Sequence, residues 1–247
     1  MFKTLFIAGP PFDVSLWDQV STRMEKHGYL CESVPLLVDG NGSIHEEAER
    51  VAHHIKESTN PTILVAQGSA LPVAVSASAI SKPTGIVITN GALGRTDPLT
   101  RAMCAAAHLP HLMFNQMFSP DIVLRWLRSS AGLRRAVVNP YVMDHDTTVA
   151  ICGPIFEDKM KRKRLQRYLK NLSEEAAKTP RLTSKTLICW GDSDPINPVL
   201  KSPLTDSNDA LLTRDIVPGG KYLHPVERPW EIADRIDAWA SKHLTTT

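Results

Sequence analysis

Little in this chain is out of balance, and what it lacks narrows its class. Its 28 Lys and Arg against 26 Asp and Glu leave a formal charge of +2 across 247 residues. That excess is too slight to argue for nucleic acid or a membrane surface as partner. Cysteine is sparse, with four residues at 31, 104, 152 and 189 and no C-x-x-C pair. Such spacing speaks against a metal knuckle or disulfide framework and reads as buried thiols in a reducing compartment. No apolar run approaches the ~20 residues that span a bilayer. The opening run Met1-Phe-Lys-Thr-Leu-Phe-Ile-Ala-Gly9 breaks at Gly9-Pro10-Pro11, too soon for a signal peptide, and reads as a first core strand. The cytoplasm is the default compartment. No internal repeat or low-complexity tract is present.

What is there is an alternation. Short apolar runs bounded by turn residues recur at Thr4–Ala8, Tyr29–Leu36, Thr62–Ala66, Gly85–Thr89, Thr186–Trp190 and Arg214–Val217, each the length of a buried strand. Helical periods separate them. Leu16, Val20 and Met24 share a face that stops at Gly28, Ile44 to Ile55 opens with an acidic turn, and Ile232, Ile236 and Trp239 follow Pro229, a favoured first-turn residue. The pattern predicts an α/β protein with a doubly wound, mostly parallel sheet. It stops between about Arg95 and Pro180, where Leu99–Ala107, Pro120–Ser129, Arg134–Val142 and Glu157–Ala177 look helical, separated by Pro110, Pro140 and Gly153-Pro154. A block this long is not a loop. The expected organisation is a core of residues 1–94 and 181–247 with a helical cap, 95–180, inserted into it.

The segment Thr62-Ile-Leu-Val-Ala-Gln-Gly68-Ser-Ala-Leu-Pro72 has the form of a strand, a sharp turn and a helix start. In a nucleophile elbow the apex backbone is strained, and the residues two before and two after it must be small. With Gly68 at the apex those are Ala66 and Ala70; with Ser69 they are Gln67 and Leu71. Gly68 is the better apex, and it carries no nucleophile.

Across essentially its whole length the chain resembles the α/β-hydrolase superfamily. Ala8-Gly-Pro-Pro-Phe-Asp13 with Leu16-Trp17 is similar to the family's H-G-x-P-F-D-x-x-x-W oxyanion segment. Trp190-Gly-Asp-Ser-Asp194-Pro-Ile-Asn-Pro198 is similar to W-G-x-x-D-P-x-x-P, which carries the triad acid. Val217-Pro-Gly-Gly-Lys-Tyr222-Leu-His-Pro-Val-Glu-Arg-Pro229 is similar to P-G-x-G-H-x-x-x-x-E-x-P, which carries the catalytic histidine. The resemblance implies an α/β-hydrolase fold, and it fails at the working positions. Triad chemistry needs a hydroxyl, an imidazole and a carboxylate. Here the three slots read Gly68, Tyr222 and Asp194. Pro10 also stands where the family places an oxyanion donor, and proline has no N–H. One lost donor typically costs about 3 kcal/mol of transition-state stabilisation.

Each candidate residue has a plain reading beside a functional one. Gly68 relaxes a strained turn or enlarges a pocket floor together with Pro10 and Pro11. Tyr222 fills the space of a histidine and satisfies Asp194, or it donates a proton with Asp194 as base. His224 is a loop residue or a base. Ser69 caps a helix or, in the other register, is a nucleophile. His111 and Phe114, with Met113, Met117 and Phe118, pack the cap or touch a ligand. The basic run Lys159-Met-Lys-Arg-Lys-Arg164 is a solvated face, and His53-His54 point apart.

Three functions remain open at this level. The first is a non-hydrolytic enzyme of cyclase, isomerase or lyase type that encloses a small, largely apolar molecule while Asp194, Tyr222 or His224 transfers protons. The second is a binding or scaffolding protein. The third is an esterase using Ser69 and His224. No cofactor, metal, nucleic acid or membrane is expected, and the oligomeric state is open, a homodimer included.

Overall fold

A computed structural model describes residues 1–91, 98–177, 183–198 and 210–244. Its six strands are β1 (Lys3–Ala8), β2 (Leu30–Ser33), β3 (Thr62–Gly68), β4 (Gly85–Gly91), β5 (Lys185–Gly191) and β6 (Leu212–Val217). They form one sheet in the order β2-β1-β3-β4-β5-β6, with every neighbouring pair parallel. The central strands β3 and β4 are buried throughout, which is why they read as continuous apolar runs rather than as alternations. The run at Tyr29–Leu36 yields a shorter strand than its composition suggests. It ends at Ser33, and the chain turns through Pro35 to Leu37, which has φ +65°.

Four helices flank the sheet: α1 (Asp18–Lys26), α2 (Ile44–Lys56), α3 (Leu71–Ser81) and, at the C-terminal end, a helix over Pro229–His243. α1 packs on that C-terminal helix and α2 packs on α3. The stop at Gly28 has its physical cause in the structure, since Gly28 takes φ +87° just past the last turn, the left-handed position that favours glycine. Ser43 caps α2 by accepting the Glu46 N–H at 3.2 Å, as the acidic first turn anticipates.

The stretch between β4 and β5 is helical: α4 (Pro98–Ala106), α5 (His111–Met117), α6 (Pro120–Leu127), α7 (His145–Glu157) and α8 (Lys159–Ala177). The expected limits of a cap at 94/95 and 180/181 lie outside the described residues. Two expectations need correction. Arg134–Val142 is not a helix but two short 3-10 turns, Leu133–Ala136 and Pro140–Val142. The residue before a proline disfavours the helical region, and Asn139 instead caps the second turn by accepting the Tyr141 N–H. Gly153-Pro154 is not a break either; α7 runs through it. A proline inside a helix removes the N–H that would reach the carbonyl four residues back. That carbonyl, of Ala150, takes the Ser15 hydroxyl at 2.7 Å, and the next, of Ile151, takes the Asp13 N–H at 2.7 Å. The turn after β1 thus serves the carbonyls of the interrupted helix and docks against it.

The basic run is not wholly a solvated face. Arg162 is buried and donates to the Phe156 and Glu157 carbonyls that end α7, while Arg164 donates to the Leu37 and Gly40 carbonyls. The four cysteines are free, and burial pushes the Cys152 and Cys189 thiols well above their ordinary range and Cys31 to about 12. His53 and His54 pair separately, with Glu57 and Glu32. Among the described residues no group of side chains could hold a metal ion, and no helix is long and apolar enough to cross a membrane.

A Cβ on Gly91 would stand 2.5 Å from the Gly68 carbonyl oxygen. Gly91→Ala should therefore destabilise the protein by about 3 kcal/mol or more through a forced backbone shift, read as a lowered urea midpoint.

Candidate functional site

The site is assembled where strands end. β3 closes at Gly68, which takes φ +68°, and the sheet register slips between Ala66 and Gly68. Gly68 is thus the left-handed apex, and Ala66 and Ala70 on either side of it are fully buried. The turn after β1 presses on this elbow: a Cβ on Gly9 would lie 2.0 Å from the Ala70 nitrogen. Only glycine allows that approach.

Ser69 does not cap α3. Its hydroxyl donates to the Pro10 carbonyl at 2.6 Å, and its own carbonyl accepts the Tyr168 hydroxyl at 2.6 Å. The turn after β1 and the long helix α8 are thus both tied to the residue after the apex. Pro10 and Pro11 are joined by a cis peptide and both are buried. The Phe12 N–H donates to the Gly9 carbonyl at 3.1 Å, so the first amide after the prolines is already bonded within its own turn.

Asp194, just past β5, is 3% exposed. Its carboxylate accepts Asn90 Nδ2 at 2.5 Å and the Ile196 N–H at 2.8 Å. Asn90 in turn accepts the Gly191 N–H at 2.9 Å, which locks the end of β4 to the end of β5. Asn197 donates to the Gly91 carbonyl and accepts the Trp190 indole N–H. Sequence reasoning passed over Asn90 and Asn197. The available signal for Asn90 was a polar residue closing an apolar strand.

Tyr222, past β6, is 2% exposed. Its hydroxyl lies 3.2 Å from where a Cβ on Gly68 would stand, so it occupies the space in front of the elbow apex. Its ring lies 6.1 Å from that of Phe12, and its carbonyl accepts Gln67 Nε2 at 2.8 Å. Gly68, Tyr222, Pro10 and Ser69 are thus gathered at one point, and Asp194 joins them through Asn90 and Gly91.

The remaining candidates lie apart from it. His224 begins a short turn of helix, α9 (His224–Glu227), that precedes the C-terminal helix, α10 (Pro229–His243). It is fully buried, with Nδ1 2.8 Å from the Lys221 carbonyl, and the charges that act on it are Glu231 and Arg235 of α10 and Arg228 just before it. Burial holds its pKa down at about 4 from 6.5. His111 has both ring nitrogens engaged within the helical layer, with Gln166 and Asn115, each at 2.8 Å. Phe114 is buried and stacks on Phe118 at 4.3 Å. Beside it the helical layer holds an apolar cleft of about 250 Å³ between α4, α5 and α6, walled by Met103, Ala106, Met117, Phe118, Ile122 and Trp126 among others.

The class this architecture defines is the α/β-hydrolase fold. Its solved likenesses are enzymes of several chemistries. An esterase from Thermogutta terrifontis shares 14% identity over 99% of this chain and 91% of its own, with a TM-score of 0.70. Haloalkane dehalogenase DbeA from Bradyrhizobium elkani shares 13% over 97% and 90%, at 0.74. The Cif epoxide hydrolase from Acinetobacter nosocomialis shares 12% over 96% and 82%, at 0.71. No protein-family model and no curated protein matches the sequence.

Two predictions follow from the buried polar groups. Tyr168→Phe leaves the Ser69 carbonyl without its donor and should destabilise by about 1 to 2 kcal/mol, read as a lowered urea midpoint. His224 is kept neutral in the fold, whereas the unfolded chain protonates it near 6.5. Its stabilising contribution is therefore complete above 6.5 and lost as pH falls towards 4. The loss should reach about 2 to 3 kcal/mol and be missing from His224→Gln; parallel pH profiles for the two proteins would refute it.

Proposed function

We propose that this chain is a non-hydrolytic α/β-hydrolase-fold protein that binds a small, largely apolar molecule, its elbow region serving as structure. The observation that carries this reading is the Tyr222 hydroxyl at 3.2 Å from the nucleophile's Cβ position. Triad catalysis needs a nucleophile and a base there, and the chain supplies a glycine and a buried phenol. Cyclase, isomerase or lyase chemistry through Asp194 and Tyr222 would require both polar groups to meet a substrate. Both are almost wholly buried, and Asp194 is held by Asn90 and the Ile196 amide. Esterase chemistry through Ser69 and His224 has less support, since the Ser69 hydroxyl is bonded to Pro10 and His224 neighbours α10.

The helical-layer cleft suits the ligand. Its walls are alanine, valine, isoleucine, methionine, phenylalanine and tryptophan, without an acid, base or nucleophile. Apolar lining of this kind binds by surface burial and offers its guest no chemistry. Methionines at the wall allow adjustment to the guest's shape.

The test uses the fluorescent probe anilinonaphthalene sulfonate and a p-nitrophenyl ester. The probe should bind, and Ala106→Phe, which fills the cleft, should weaken it about tenfold or more. Asp194→Asn and Tyr222→Phe should change probe affinity by less than about twofold. Ester turnover should stay at the uncatalysed rate. Turnover that disappears in Tyr222→Phe or in Ser69→Ala would replace binding with catalysis.

A further inference from the structure

We propose that the outer face of α5 and α6 docks on an anionic lipid surface. Both helices bury one side, through Phe114, Val123 and Leu127, and present an apolar side to solvent. On that side Leu112 is 81% exposed and Met113 53%, and Met117, Ile122 and Trp126 are exposed as well. Met113, Met117, Ile122 and Trp126 form one connected patch, and Leu112 precedes Met113 on α5. A second cleft of about 290 Å³, walled by Leu109, Met113, Gln116, Met117 and Ile122, meets the first through Met117 and Ile122. Contiguous apolar surface of this kind marks an interaction site.

Charge identifies the partner. Between residues 98 and 143 the chain has arginines at 101, 125, 128, 134 and 135, no lysine or glutamate, and the single acid Asp121. Five arginines against one aspartate leave this segment at +4 while the whole chain stands at +2. All but the half-buried Arg128 are exposed, and none of the five pairs with a carboxylate among the described residues. Arg101 lies on α4 and Arg125 on α6, each beside a wall residue of the first cleft. A dimer through this face would gather the positive charge of both copies into one interface, which disfavours self-association. Leucine, methionine and tryptophan flanked by arginine match a bilayer interface, where the apolar side chains enter the headgroup boundary and the cations meet anionic lipid. The lack of a spanning helix bears on crossing a bilayer, not on lying against one.

The experiment is co-sedimentation of the full chain with vesicles of phosphatidylcholine alone and with about one third phosphatidylserine. Binding should require phosphatidylserine and weaken with added salt. Leu112→Ser should reduce it about tenfold, and Arg125→Gln about fivefold. Both side chains are exposed, so folding is spared. Neither lines the first cleft, so binding of the fluorescent probe should persist in both; failure here is thereby separable from failure of the ligand-binding reading. No sedimentation with either vesicle overturns the proposal. So does wild-type binding by both variants, or a dimer in solution that Leu112→Ser dissolves, which would assign the face to a second copy.

Discussion

The left-handed backbone at Gly68 is the constraint around which the rest is arranged. With φ at +68° the chain turns sharply from β3 into α3, and the neighbouring strand ends close in to distances that no side chain would allow. Gly9 presses on Ala70, and Gly91 on Gly68 itself. Polar groups then fasten the arrangement from three directions: Ser69 to Pro10, Tyr168 to Ser69, and Gln67 to Tyr222. Each of these buried bonds satisfies a group that would be costly to leave unpaired. The elbow is therefore a junction between sheet, helical layer and the loop that bears Tyr222.

The junction is closed as well as fastened. A residue with a side chain at the apex would sit in strained backbone. Glycine relaxes the strain, and Tyr222 with Phe12 fills the space in front of it. The Asp194 carboxylate is held by Asn90 and the Ile196 amide. The apolar cleft of the helical layer is walled by none of these residues.

Much of the architecture was legible in the sequence because it depends on short-range patterning. All six strands, and α1, α2 and α10, follow from apolar runs and helical periods bounded by turn residues. The helical layer was legible only in part. Pro154 reads as a break, yet α7 continues because Ser15 and Asp13, remote in sequence, serve the carbonyls near it. Arg134–Val142 reads as helical, yet Pro140 and the Asn139 cap fold it into tight turns. In both places a partner or a local cap outweighed periodicity. The arginine excess of the helical layer was visible in the residues, but averaging over the whole chain concealed it.

By itself the sequence determined the order of the strands and of most helices, the glycine apex with its small neighbours, and a glycine and a tyrosine where the resemblance places a hydroxyl and an imidazole. These follow from residue identity, because backbone strain, side-chain size and proton chemistry are local properties. Tertiary structure alone decided that Tyr222 stands against Gly68, that Asn90 holds Asp194, and that Ser69 is tied to Pro10. It also decided that His224 is fully buried. The contacts of Tyr222, Asn90 and Ser69 join residues tens to more than a hundred positions apart, and only packing of the sheet and its helices brings them together.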